Sequence, residues 1–466
     1  LVGSEICIRD SYIDYLRGKR IGVIGFGVSN QPLVRVLLRN GCDVTVCDRR
    51  ERAQLGAAGD EAAAQGARFA LGADYLEHLD FDVIFRTPGV LPIVPQLRKA
   101  AQNGAILTSE MEAFCNLCPC RILAITGSDG KTTTSTIAAE LLHAQGYTVH
   151  LGGNIGTPLF DRIPDIRPDD FAVLELSSFQ LHSMHCAPDV AIITNISPNH
   201  LDVHPDLEDY VSAKCSIYRG QRPDGVLVLN ARDAHTPRFA AEAPGSVRYF
   251  SSIGPVENGV YCSDGVIYRA HGGKAEKLID VSDIRIPGAH NVENYMAAFA
   301  ATDGLVGQAA CVQVARSFAG VPHRMERIRE LNGITFINDS IASSPTRTIA
   351  GLHALLKPPV IILGGHDKHI PFDELGDEVC LHAKAAVVVG ETAQRIAAAI
   401  RGSKFYDPGK LPLVEAQDFR AAVETAYRLA QPGDTVTLSP ACSSFDFFKN
   451  FAERGDTFRA IVEDLQ

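Results

Sequence analysis

Between Arg121 and Val149 the chain reads RILAITGSDGKTTTSTIAAELLHAQGYTV, and this stretch restricts the possible folds most tightly. An apolar, β-branched run breaks at Gly127, passes through Gly-Lys-Thr at 130–132 and continues at helical spacing into a second short strand-like run. Strand, glycine turn, helix and strand in that order make a parallel βαβ unit. The turn also carries chemistry, because backbone N–H groups of a glycine-rich bend that opens a helix form a nest for anions. Lys131 can then reach terminal phosphates, and Thr132 can hold Mg²⁺. The full phosphate-loop pattern has a glycine five residues before Gly130; Ile125 stands there, so the loop is a shortened form.

The same rhythm precedes and follows. RIGVIGFG, QPLVRVLLRNG and DVTVCD read as strand, helix and strand, and DVIFRTPGV adds another strand. After the glycine loop come two buried strands, FAVLELSS and DVAIITNIS, and then short Gly-, Ser- and Asp-rich pieces over about 245–285 that predict a small antiparallel sheet. A third block carries the strands GITFIND, PVIILGG, AAVVVG and DTVTLSP between helical stretches. The expected fold is α/β in three domains: a Rossmann-like domain over 1–109, a central phosphate-loop domain with the small antiparallel sheet over 110–321, and a second Rossmann-like domain over 322–466. Ligands of such sheets sit outside the carboxyl ends of the strands.

Those strand ends hold the candidate residues. In GVIGFGVSNQP, Gly25 and Gly27 match a dinucleotide fingerprint, but Asn30 occupies the third glycine position. A tight turn with no ligand, a redox dinucleotide and a UDP group all remain open; Asp48 stands where a ribose-binding acid would, and Arg49 and Arg50 would suit a diphosphate. Glu175 ends a strand on the sheet of the glycine loop, well placed for Mg²⁺, with Ser177 and Ser178 after it. His200 and Asp202 follow the next strand, as a metal ligand with its orienting partner or as a hydrogen-bonded loop histidine. Lys214 lies in a helical apolar setting. It is either a snorkelling surface lysine or a buried amine with a lowered pKa that can add CO₂. PHRMER, INDSIASSP, GGHDK and SPACSSFDFFKNF bring Arg324, Asp339, Lys368 and Ser444 to strand ends of the third block.

Composition excludes several classes. A formal charge of −11 opposes a general grip on nucleic acid. Twelve cysteines in 466 residues are too sparse for a disulfide scaffold. No apolar run reaches the roughly 18 residues that span a bilayer, and the start lacks a signal-peptide pattern, so a cytoplasmic protein is expected, with no membrane partner.

Taken together, TGSDGKTTT, GGNIG, ELSSFQL, HNVEN, PHR, NDS and SPACSSFDFFKNF resemble the Mur ligase family over essentially the whole chain, and ELSSFQL with the last string is similar to its D-glutamate-adding branch. The resemblance implies a monomeric ATP-dependent ligase of peptidoglycan precursor synthesis that uses UDP-N-acetylmuramoyl-L-alanine and D-glutamate. It implies that Val28, Ser29, Arg49, Arg50 and Gly89 line a uridine-diphosphate pocket, with Asn154 and Ser177 toward the muramoyl part. Gly127, Ser128, Asp129, Gly130, Lys131, Thr132 and Thr133 would hold ATP phosphates, with Asn291, Asn294, Arg324 and Asp339 around the nucleotide. Thr132, Glu175, His200 and a carbamate of Lys214 would organise two Mg²⁺ ions, so that Lys131, Glu175, His200 and Lys214 form the catalytic set. Ser343, Lys368, Ser444 and Phe451 would hold D-glutamate. Asn199, Ile341 and Ser343 stand where the family usually carries an acid, a lysine and a threonine.

Overall fold

Strand β1 (Arg20–Ile24) lies at the centre of the first sheet, where the strand order reverses. β2 (Asp43–Asp48) and β3 (Arg68–Leu71) extend it on one side, and β4 (Val83–Arg86) and β5 (Ile106–Thr108) on the other, every pair parallel. The order β3-β2-β1-β4-β5 is doubly wound, so its ligand crevice opens at the carboxyl ends of β1 and β4. The turn there requires glycine: Gly25 has φ +81°, and a Cβ on it would stand 2.8 Å from Thr87 Cγ2. The helix Asn30–Arg39 packs back through Leu33, Val34 and Leu37, one face of its first turns. The computed structural model describes residues 12–198, 200, 203–286, 288–367 and 371–466.

The second sheet has nine strands: β6 (Arg121–Thr126), β7 (Val149–Gly153), β8 (Phe171–Glu175), β9 (Val190–Ile193), β10 (Val226–Asn230), β11 (Ser246–Ser251), β12 (Gly259–Ser263), β13 (Val266–His271) and β14 (Lys274–Asp280). The order is β14-β13-β12-β11-β10-β9-β6-β8-β7. Pairings from β7 through to β12 are parallel, and only β12–β13 and β13–β14 are antiparallel. The Gly-rich region is therefore no separate sheet. β11 joins the parallel array and the two hairpins continue its edge. Their turns, Asp264-Gly265 and Gly272-Gly273, have positive φ at both central residues, the geometry that closes two-residue hairpins. Apolar side chains of β1, β2 and β4 share one core with those of β6, β8 and β9.

The chain divides into two compact units between Phe318 and Ala319. The second unit holds β15 (Glu326–Leu331), β16 (Ile334–Asn338), β17 (Val360–Leu363), β18 (Ala385–Val388), β19 (Leu413–Glu415) and β20 (Thr435–Leu438), ordered β15-β16-β20-β17-β18-β19. Its apolar side chains form two cores. β15 pairs antiparallel with β16 across Asn332-Gly333, again with positive φ at both residues; the remaining pairs are parallel.

Candidate active site

The glycine loop leaves β6 at Gly127 and enters the helix Lys131–Ala144 at Gly130. Gly130 sits at φ +77°, and a Cβ there would meet Asn294 Oδ1 at 2.3 Å. The loop's shape is held by the chain that leaves β9. Ser128 N donates to Asn195 O (2.9 Å) and Asp129 N to Asn195 Oδ1 (3.0 Å). Thr194 Oγ1 donates to Asp129 O (2.6 Å), while Ser197 N donates to Ser128 Oγ (2.8 Å). Lys131 Nζ folds over the loop onto the carbonyls of Gly127 (3.0 Å) and Ser128 (2.8 Å). Its ammonium is thus carried at the mouth of the nest. On the helix Ala289–Ala301, Asn294 accepts from Thr134 Oγ1 (3.2 Å) and donates to Asn291 Oδ1 (3.2 Å).

Glu175 is the hub. β8 pairs directly with β6, which brings its last residue beside the loop. Its carboxylate, in a residue only 1% exposed, accepts from Thr132 Oγ1 (2.7 Å) and Asn154 Nδ2 (2.8 Å). Gly153 makes room for this, since a Cβ there would stand 2.2 Å from Glu175 O. Beyond these two donors, its negative charge acts on the ammonium of Lys214 nearby, so the carboxylate sits where it can balance positive charge in the loop. Oxygen ligands from a threonine and a carboxylate beside a phosphate nest suit Mg²⁺, so these residues fit the ion.

Lys214 lies on the helix Leu207–Arg219, 1% exposed. Its Nζ donates to Gly127 O (2.6 Å) and lies 4.6 Å from the centre of the Tyr210 ring. Burial first, and then the nearby charge of Lys131, push its pKa well below the usual lysine value. Of the two readings left open by the sequence, the snorkelling lysine is excluded. His200, at φ +56°, meets the Phe179 ring edge to face, with ring centroids 4.9 Å apart. Asn199 and Asp202 lie outside the described residues, as does Lys368.

At the crevice of the first sheet, Val28 and Ser29 are exposed and Gly89 follows β4. Asp48 is engaged by the protein itself: it accepts from Phe26 N (2.6 Å), Arg50 N (2.9 Å) and the Arg50 guanidinium (2.8 and 3.0 Å). Burial raises its pKa, but these hydrogen bonds outweigh that and hold it down to about 2. Arg50 is thereby fixed at the crevice, while Arg49 is exposed. Ser177 caps the helical turn Ser178–Leu181 in a reciprocal box with Gln180.

In the second unit, Arg324 is flanked by His323 (φ +63°) and Met325 (φ +44°). Left-handed non-glycine residues carry strain of about 1–3 kcal/mol each and cluster at functional sites. Asp339, the first residue after β16, accepts from Ser439 Oγ (2.9 Å) and Met325 N (3.2 Å), and burial pushes its pKa up to about 6. Ser343 N donates to Ile341 O (2.8 Å); Ser444 is buried, and Phe451 is partly exposed at the start of the helix Phe451–Asp464.

Sequence reasoning missed three groups. Thr194 and Asn195 shape the glycine loop, and only their position after a strand of the same sheet signalled it. Arg454, buried, donates to Ser340 Oγ (3.0 Å), Ser340 O (2.8 Å) and Cys442 O (3.0 Å), tying together the NDS and PACSS loops. His204 joins Asp209 (2.6 Å) to Ser178 Oγ (3.0 Å), and Asp209 also meets His182 (3.1 Å).

This geometry has counterparts. The description "Mur ligase middle domain" matches residues 125–302, and "Mur ligase, glutamate ligase domain" matches 323–442. A UDP-N-acetylmuramoylalanine–D-glutamate ligase of Acetivibrio thermocellus is 45% identical over 97% of this chain and 97% of its own. The chain belongs to the Mur ligase family. A second such ligase, from Clostridium kluyveri, is 43% identical over 98% of this chain and 99% of its own. The Mur ligase fold extends to distant members: UDP-N-acetylmuramate-alanine ligase from Thermotoga maritima superposes with a TM-score of 0.53 at 18% identity, over 96% of this chain and 99% of that one. Among the described residues no helix is long and apolar enough to cross a membrane.

Proposed function

We propose that this chain joins D-glutamate to UDP-N-acetylmuramoyl-L-alanine with hydrolysis of ATP to ADP and phosphate. Near-full-length identity to ligases of that name carries the reading, and the nest, Lys131 and Glu175 supply the chemistry it needs. An amide forms from a carboxylate only after activation. The substrate carboxylate attacks the γ-phosphorus, ADP leaves, and an acyl phosphate results. The D-glutamate amine adds to its carbonyl, and the tetrahedral intermediate expels phosphate. Lys131 follows the charge of the transferring phosphoryl group, the loop N–H groups orient it, and Thr132 and Glu175 would hold Mg²⁺. That ion, when bound, neutralises phosphate charge.

The further assignments belong to the same proposal. Two Mg²⁺ ions are served by Thr132, Glu175, His200 and the Lys214 carbamate, formed when the neutral amine adds CO₂ and loses a proton. The lowered pKa and burial of Lys214 support that modification. The domains run 1–109, 110–321 and 322–466, and the protein is a cytoplasmic monomer. Val28, Ser29, Arg49, Arg50, Gly89, Asn154 and Ser177 serve the UDP substrate. Gly127 to Thr133 with Asn291 and Asn294 serve ATP, as do Arg324 and Asp339 of the second unit. There, Ser343, Lys368, Ser444 and Phe451 serve D-glutamate. Phosphate release should require UDP-N-acetylmuramoyl-L-alanine and D-glutamate together. Free ATP hydrolysis without joined product, or equal turnover with L-lysine, would overturn the reading.

A further inference from the structure

Arg86 is the last residue of β4, and its place is odd for a charged side chain. It follows the wholly buried Val83-Ile84-Phe85 and is itself 1% exposed. Among the described residues no carboxylate lies within ion-pair distance of it. Burial drags its pKa down to about 10, with Glu112 opposing at longer range. A hydrocarbon would end this strand at far lower electrostatic expense.

The compensation comes from backbone dipoles. A guanidinium has five N–H groups, and five acceptors surround this one. Nε donates to Ser183 Oγ (2.9 Å), and Nη2 to Phe179 O (3.0 Å) and Gln180 O (3.3 Å). Nη1 turns the other way, to Thr87 O (3.5 Å) and Val90 O (3.4 Å). The first set belongs to the turn that follows Glu175 on the second sheet. The second belongs to the loop carrying Gly89, at the switch point of the first sheet.

We infer that Arg86 is a positioning residue that fixes the β4 loop against the turn after Glu175, and so sets where the nucleoside-diphosphate substrate presents its carboxylate. This rests on the proposed function, which makes the β4 loop part of that substrate's pocket. Arginine is required by geometry, because one flat group must reach three acceptors on one side and two on the other. Lysine offers three donors from a single point and cannot span both.

The test is calorimetric binding of UDP-N-acetylmuramoyl-L-alanine and, separately, of ATP to wild type, Arg86→Lys and Arg86→Ala, with steady-state kinetics on each. Losing two of the five bonds predicts that Arg86→Lys raises Kd and KM for the UDP substrate about tenfold, with ATP affinity unchanged. Added guanidinium should recover substrate affinity in Arg86→Ala and do nothing for Arg86→Lys. A folded Arg86→Lys that binds the UDP substrate like wild type overturns the inference alone. Equal losses for ATP and the UDP substrate, or failure of both variants to fold, would make Arg86 a general structural residue and also overturn it. A wild-type protein that does not bind the UDP substrate overturns the functional reading, and the inference with it.

Discussion

Replacing Glu175 with Gln separates chemistry from stability. The carboxylate receives two hydrogen bonds from buried donors, Thr132 Oγ1 and Asn154 Nδ2. Glutamine keeps its shape and one carbonyl acceptor but turns an NH₂ toward the other donor. One unsatisfied buried contact costs about 1–3 kcal/mol. Against this, the variant no longer buries a charge, a relief of similar order that is reduced by the lost attraction to Lys214. Net stability should therefore move by no more than about 2 kcal/mol in either direction. Activity has no such compensation, since a neutral amide cannot hold Mg²⁺ or balance it as a carboxylate does. A loss of about 10²–10³-fold in kcat is expected, about 3–4 kcal/mol of transition-state stabilisation. Urea unfolding and a coupled phosphate assay on the same preparations measure both quantities. A variant that keeps a tenth or more of kcat would refute the role given to Glu175. A loss of activity matched by collapse of the unfolding transition would refute the claim that the role is chemical.

Other outcomes follow from the same contacts. Lys214→Ala should nearly abolish turnover and regain part of it in millimolar short-chain carboxylic acid, read by phosphate release; indifference to the substitution would end the carbamate proposal. Gly130→Ala meets both the left-handed φ and Asn294 Oδ1, and should lower ATP affinity at least about tenfold, measured by calorimetry. Asp339 has a folded pKa of about 6 against 3.8 for the free group. The folded state thus binds the proton more tightly, and this residue's contribution to stability declines as pH rises from about 4 to about 6, by about 3 kcal/mol in all. Asp339→Asn should flatten that part of the stability–pH curve in urea titrations of the full chain.

The glycine loop could be read directly because its chemistry is local: a strand, a turn and a helix within thirty residues fix the backbone and present Lys131 and Thr132. Glu175 was legible for a different reason. A carboxylate at the end of a parallel strand must emerge on the same edge as the loop, whatever the spacing in sequence. What sequence could not give was adjacency. The antiparallel region reads as a self-contained sheet, because Asp264-Gly265 and Gly272-Gly273 are complete hairpin signals, while the pairing of β11 with β12 that fuses it to the larger sheet leaves no local mark. Asn332-Gly333 is the same signal, yet the strand before it, ERIREL, carries charges at four of six positions and so lacks a clear strand pattern. Asp48 stands at the sequence position of a ribose-binding acid with the alternatives open; its hydrogen bonds to Phe26 and Arg50 span a strand end and a loop, and neither spacing nor residue type reveals them. Thr194 and Asn195 act through side-chain and backbone hydrogen bonds to a loop about 65 residues earlier, which spacing does not reveal. Arg86 closes an apolar strand as a charge, but the acceptors that explain it, on Phe179, Gln180 and Ser183, lie 93 to 97 residues away.

The central claim is that the γ-phosphate is moved onto the substrate carboxylate before the amine arrives. Labelling that carboxylate with ¹⁸O and analysing the released phosphate by mass spectrometry tests it directly. Transfer through an acyl phosphate leaves one carboxylate oxygen in each phosphate formed with product. Phosphate free of label, alongside normal formation of the amide, would contradict it.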